Sequence, residues 1–267
     1  MSCFLEISNL RKSYGDHNVL DGIYLTARRG EVVGIIGGNG AGKTTLLSIL
    51  ASLLNWNSGI VTINGQALGG KSSIKGAAVV SISSSQYGVF DYLTGRESVI
   101  AHGRLQHPTD HGIHSRADEL LSVFDLEASS DQFVYEYSHG MKKKLSLACA
   151  LVVVPDLLLL DEPFDGLDAV SVLRLLSIIR QSAEVGCTVL LTSHDLSIVE
   201  KICDRVAVIH DGMLKNEIKL VKECATDPSA ATGGELQTAL WEIIGKPQIL
   251  PLSWLNRGKL RAEAPTD

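Results

Sequence analysis

The sequence predicts an α/β protein with a parallel sheet at its core. Three observations predict it. Apolar runs recur over 32–36, 77–82, 157–160, 188–192 and 205–209, and continuous runs of this kind suit strands covered on both faces. Helical patterns over 44–54, 168–183 and 195–203 alternate with them, as βαβ units require. Between the run at 32–36 and the helix at 44–54 lies Gly37-Gly38-Asn39-Gly40-Ala41-Gly42-Lys43-Thr44-Thr45. A glycine run in that position is a strand-to-helix turn.

That run fits G-x-x-x-x-G-K-[ST], the phosphate-binding P-loop. Glycines let the main chain curl so that successive N–H groups point at one phosphate, and the helix start adds unpaired donors and a positive dipole end. Gly37, Asn39, Gly40, Ala41, Gly42, Lys43, Thr44 and Thr45 are therefore the candidate nucleotide-binding residues. Lys43 would reach the β- and γ-phosphates, and the Thr44 hydroxyl would bind Mg²⁺. The run at 157–160 ends in Asp161-Glu162. At the end of a buried strand Asp161 can reach the same Mg²⁺, and Glu162 would face a water attacking the γ-phosphate. A carboxylate buried beside phosphate charge takes up a proton more readily, which suits a general base. The fold class is thus a P-loop NTPase core.

The remaining elements fall around that core. Residues 4–10 and 19–27 read as strands about a Gly15-Asp16 turn, and 60–63 is a third strand closed by the hairpin signal Asn64-Gly65. They make an N-terminal antiparallel β subdomain. No strand is convincing between about 95 and 153, whereas 117–124 and 141–153 look helical, so about 86–153 is a helical lobe inserted in the core. The core unit covers 1–215. Residues 216–267 form a C-terminal extension with a possible helix over 235–244 and an irregular tail holding Pro247, Pro251 and Pro265.

Composition narrows the setting. The 267 residues suffice for one large domain, and a net charge of −6 implies no general affinity for nucleic acid. The five cysteines (Cys3, Cys149, Cys187, Cys203, Cys224) form no C-x-x-C pair, which reads as a reducing, cytoplasmic compartment. The N-terminus lacks the basic region and apolar core of a signal peptide. The most apolar window, 145–160, is broken by Pro155-Asp156 and is too short to span a bilayer.

With these residues in order, the chain resembles the ATP-binding cassette (ABC) ATPase family over about 4–215. Tyr14 stands where family members stack an aromatic ring on adenine. Ser138-His139-Gly140-Met141, preceded by Tyr137, lies at the signature motif. Phe164-Asp165-Gly166-Leu167-Asp168 resembles the D-loop, with Asp168 its closing acid, and His194 resembles the switch histidine. Asp211-Gly212 resembles the turn that ends the core. The resemblance implies ATP and Mg²⁺ as ligands, Glu162 and His194 as catalytic residues, and a second ABC ATPase domain as partner. Two domains would face head to tail, each ATP held by one P-loop and the other's signature. It further implies integral membrane permease subunits, a place at the cytoplasmic face of the membrane, and, from the signature variant and Leu93-Thr94-Gly95-Arg96-Glu97, export. The alternative is a soluble ABC ATPase acting on nucleic acid or the ribosome. Those families usually carry two cassettes or a coiled-coil insertion, and this chain shows one cassette and no heptad stretch.

The signature departs from the family at His139 and Met141, where glycine and glutamine are usual. The Q-loop position holds Ser85, with Gln86 one residue late, and either is a candidate for the metal-bound water. His102, His107, His111 and His114 are expected in a solvated loop, and Lys142-Lys143-Lys144 on a solvated helical face.

Overall fold

In a computed structural model the chain forms two sheets flanked by helices; residues 3–69, 91–153, 155–220 and 236–238 are described. Strands β1 (Cys3–Tyr14) and β2 (His17–Arg28) make an antiparallel hairpin, and β4 (Ser58–Ile63) joins the other edge of β1. A short β5 (Gln66–Ala67) closes that sheet. The turn between β4 and β5 carries Asn64 and Gly65 at φ 51° and 74°, the geometry that matches strand twist in a tight hairpin.

The second sheet has the order β6-β7-β3-β8-β9, with β9 (Met213–Lys219) at its edge. Strands β6 (Leu157–Leu160), β7 (Thr188–Thr192), β3 (Val32–Ile36) and β8 (Arg205–His210) are parallel. Their side chains divide by the period of two. Val32, Leu158, Leu160, Val189, Leu191, Val206 and Val208 pack with the helices on one face. Val33, Ile35, Leu157, Leu159, Leu190 and Ala207 pack with the antiparallel sheet and helix α1 (Lys43–Leu50) on the other. Both faces are covered, which is why β3 and β6 carry no polar side chain and why the interiors of β7 and β8 are apolar, with Thr188, Thr192, Arg205 and His210 confined to the strand ends. Each buried apolar side chain contributes about 1.5–3 kcal/mol by leaving water.

Helices α2 (Gly95–Gln106), α3 (Ile113–Val123) and α4 (His139–Leu151) follow the first sheet, and α5 (Ala169–Glu184) and α6 (Leu196–Ile202) connect the core strands. Helix α5 buries Leu175, Ile179 and Ala183 at four-residue spacing, the stripe that seats it on the sheet.

Four features depart from the sequence reading. Helix α1 ends at Leu50 instead of 54, because Ser52 turns to φ 58° and the N–H groups of Leu53 and Leu54 bond back to the Ser48 carbonyl. Helix α2 has weak apolar periodicity, with Gly95 and Gly103 inside it, but a capping box holds its start: the Thr94 hydroxyl accepts from the Glu97 N–H and the Thr94 N–H donates to the Glu97 carboxylate. An edge strand β9 (Met213–Lys219) pairs antiparallel with β8 beyond the Asp211-Gly212 turn, although its sequence is mostly polar and exposed. His102 lies within α2 and His114 within α3, not in a loop. The expected strand over 77–82 lies outside the described residues, as does all of the expected helix over 235–244 except residues 236–238, which are helical.

Candidate functional site

The glycine run leaves β3 and enters α1, and the neighbouring backbone dictates where glycine is needed. A Cβ at Gly37 would stand 2.1 Å from the Ile209 carbonyl oxygen. At Gly42, with φ 103°, it would stand 2.6 Å from Leu20 and 2.8 Å from the Val19 carbonyl. The loop is thus pressed between β8 and β2, and larger residues would push it off the sheet. Gly42 is also the N-cap of α1 and offers no side-chain acceptor, so the first N–H groups of the helix remain donors for an anion. The Lys43 ammonium lies across the loop, donating to the carbonyls of Gly37 at 2.8 Å and Gly38 at 3.2 Å.

Because β7 lies between β6 and β3, the ends of three adjacent parallel strands meet at one edge. That edge carries the P-loop from β3, Asp161-Glu162 from β6 and His194 from β7. Thr192, the last residue of β7, orients both acids: its hydroxyl donates to Asp161 Oδ1 at 2.6 Å and accepts from the Glu162 N–H at 2.8 Å. Glu162 takes φ 47°, a left-handed conformation that bulky residues rarely adopt and that redirects its side chain out of the strand. Its Oε2 accepts the His194 N–H at 3.2 Å and faces His194 Nδ1 at 3.2 Å, while His194 Nε2 lies 3.7 Å from Asp165. An acid at the strand end and a histidine on the next strand are therefore held face to face.

Asp161 is 7% exposed and, among the described residues, has no ion pair. A buried carboxylate with one hydroxyl donor and no ion pair among the described residues suits a hard divalent ion, and the Thr44 hydroxyl would supply a second oxygen of the kind Mg²⁺ takes. Ser85 and Gln86 lie outside the described residues.

The signature run opens α4, two residues earlier than its apolar pattern indicated. Ser138 is the N-cap, its oxygen accepting from the Met141 N–H at 3.2 Å. The hydroxyl hydrogen and the Gly140 N–H remain as donors at an exposed helix start. His139 is exposed as well, and Met141 packs its side chain against the core. Tyr137 anchors the run from behind: its hydroxyl donates to the Ser129 carbonyl at 2.6 Å, and burial raises its pKa. Asp168 caps α5, accepting from Ser171 N–H at 2.9 Å and pairing with Lys144 at 2.7 Å. The Lys144 hydrogen bond, followed by those from Ser171, pulls the Asp168 carboxyl well below the usual carboxylate range.

The lysine run is not a solvated face. Lys142 pairs with Asp91 at 3.1 Å, Lys144 with Asp168, and Lys143 is buried against the turn after β6. Sequence reasoning assigned no role to Thr192, took Asp165 only as part of the D-loop resemblance, and expected Lys143 on a solvated face.

The ABC transporter family profile matches residues 20–165. The chain belongs to that family. It is an ATP-binding ATPase cassette of the ABC type, with the cassette's two-sheet fold. Among similar proteins is the linearmycin resistance ATP-binding protein LnrL of Bacillus subtilis, 33% identical over 78% of this chain and 67% of the relative. Another is the daunorubicin resistance ATP-binding protein DrrA3 of Streptomyces coeruleorubidus, 34% identical over 86% of this chain and 71% of the relative. A solved ATP-binding subunit of an ABC transporter matches with TM-score 0.75 and 30% identity, covering 81% of this chain and 90% of that one. A dimeric cassette solved with ADP and Pi matches in fold, with TM-score 0.73 and 24% identity over 82% of this chain and 100% of that one.

Tyr14 ends β1 at the hairpin, half exposed, with the Lys12 ammonium 4.7 Å from its ring centre. If the ring stacks on adenine, Tyr14→Ala weakens ATP by about 1–3 kcal/mol. Tyr14→Phe keeps the ring and stays near wild type. Titration with a fluorescent ATP analogue measures both; equal losses would assign the effect to the hydroxyl and end the stacking role.

Proposed function

We propose that this cassette drives export through separate membrane-spanning subunits, dimerising on ATP and hydrolysing it at sites shared between two protomers. The observation that carries the reading is the meeting of Lys43, Asp161, Glu162 and His194 at one edge of the parallel sheet. In it the P-loop N–H groups and Lys43 hold the phosphates, and Thr44 and Asp161 hold Mg²⁺. The metal would supply charge neutralisation at the β- and γ-phosphates. Glu162 accepts the proton of the attacking water, and His194, held against Glu162, keeps that carboxylate aimed. Ser138 and Gly140 close on the partner's nucleotide. The relatives named for linearmycin and daunorubicin resistance support export, and none of those described favours a ribosomal or nucleic-acid role.

The docking surface falls in the helical lobe, about 86–153. Among its described residues Tyr92 is 85% exposed, and the rings of Phe133 and Tyr135 stack at 5.7 Å near it, their segment tied to the turn 91–93 by the Val134 N–H to the Leu93 carbonyl and the Tyr135 N–H to the Asp91 carbonyl. Exposed aromatics clustered this way mark a contact surface. Among the described residues no helix is long and apolar enough to cross a membrane, so the spanning subunits are separate chains in this reading. Cysteines placed at Tyr92 and Tyr135 are expected to cross-link to a co-expressed integral membrane protein in native membranes. Cross-links to ribosomal proteins or DNA-bound complexes alone would replace this reading with the soluble one.

A further inference from the structure

Lysines on the opening turns of a helix are ordinarily solvated, and Lys143 is 6% exposed. Its ammonium donates to the Glu162 carbonyl at 2.8 Å and to the Asp165 carbonyl. Burial lowers its pKa, and the nearby carboxylates of Asp165, Glu162 and Asp161 oppose that shift. Taking an ammonium out of water is costly, and the partners it finds here are main-chain oxygens at the two ends of the turn 162–165. What it holds is the backbone of the residue that carries the candidate base, at the point where that backbone is left-handed, φ 47°.

The other end of this connection is the signature. Ser138 caps the same helix, five residues before Lys143, a distance of about 7.5 Å along the axis. The next residue, Lys144, holds Asp168 at the start of α5. The first two turns of α4 are therefore fastened to the catalytic turn at both of its ends. While the Lys143 bonds hold, a displacement of the start of α4 that carries Ser138 also pulls on the backbone of Glu162.

We propose that Lys143 is a positioning residue that transmits the placement of Ser138–Met141 to Glu162. Closure of one protomer's signature on its partner's ATP then sets the first protomer's own catalytic carboxylate, and each site is switched by occupancy of the other. This rests on the shared-site reading above.

The test uses the full chain with its membrane subunits. ATP affinity, KM, kcat, the shape of the rate against ATP, and melting temperature are measured for wild type, Lys143→Met and Lys143→Arg. Methionine keeps the stem and removes the ammonium, and an apolar replacement of a buried charge is often tolerated in folding. For Lys143→Met, affinity and KM are expected to stay within about twofold. A carboxylate displaced by a fraction of an ångström to an ångström costs kcat about 10–100-fold. The sigmoidal ATP dependence that the shared site predicts for wild type is expected to flatten. Lys143→Arg, which keeps the charge and the donors, recovers most of the rate. Lys143→Met turnover and cooperativity equal to wild type overturn the proposal. So does a joint fall of melting temperature, affinity and rate that arginine does not repair, which marks a purely structural lysine. A wild-type protein with no cooperativity and no dependence on protein concentration overturns the shared site itself, whereas a cooperative wild type with an unaffected Lys143→Met overturns only the coupling through Lys143.

Discussion

Lys43→Ala is expected to lose ATP binding by about 2–5 kcal/mol, roughly 30-fold to several thousand-fold in Kd. The effect is expected to be large because the lysine would bring the one side-chain ammonium of the glycine run to a cluster of phosphate charges, in a loop where the other donors are neutral. The loop itself should survive the change. Gly37 is packed against the Ile209 carbonyl and Gly42 against Val19 and Leu20, so its course is set by glycine contacts, and the two Lys43 bonds to loop carbonyls add to a shape already fixed. Isothermal titration of ATP, with melting temperature as the control for folding, measures this. Affinity within about twofold of wild type would remove Lys43 from the phosphate site.

What the sequence showed of this molecule is what short-range pattern can encode. The P-loop is legible because the glycines, the lysine and the threonine are consecutive and their backbone demands are local. The core strands are legible because a strand covered on both faces is apolar along its interior, and Leu157–Leu160, four apolar residues ending in two acids, fits a short buried strand better than a helix. Strand β9 was not legible. An edge strand with one neighbour buries little, and Met213–Lys219 is accordingly mostly polar. Helix α2 was missed on periodicity, although Thr94 and Glu97 spell its capping box.

The lysine run failed for a different reason. Three adjacent lysines look alike in sequence, and on an isolated helix water would solvate all of them. Here α4 lies against the turn after β6, and helix rotation of about 100° per residue puts Lys143 inward while Lys142 and Lys144 reach sideways to Asp91 and Asp168. Only the tertiary placement of that turn tells them apart. Thr192 is a similar case. Its hydroxyl is fully buried and would be costly there without partners, and the partners, Asp161 and Glu162, come from a strand about thirty residues away in the chain.

Glu162→Gln is expected to abolish turnover while sparing binding. The amide keeps the size of the carboxylate and can still accept from the His194 N–H, but it cannot take a proton from water. Losing a general base costs about 10²–10⁴ in rate, equivalent to about 3–5 kcal/mol of barrier. The left-handed turn at Glu162 is kept by the Thr192 hydroxyl and the Lys143 ammonium, which bond its main-chain N–H and carbonyl and not its side chain, so the substitution should leave the backbone as it is. Lys43, Thr44 and the loop N–H groups are untouched, and one negative charge beside the γ-phosphate is gone, so ATP affinity should hold or rise. With hydrolysis stopped and both faces of the shared site intact, the variant should accumulate as an ATP-bound dimer, each Ser138 closed on the partner's nucleotide. Sedimentation with Mg²⁺ and ATP, run beside a phosphate-release assay, measures both halves. Normal phosphate release would take Glu162 out of the chemistry. An inactive variant that stays monomeric, even with the membrane subunits present to bring the cassettes together, would keep the base and end the shared site, and with it the route from Ser138 through Lys143.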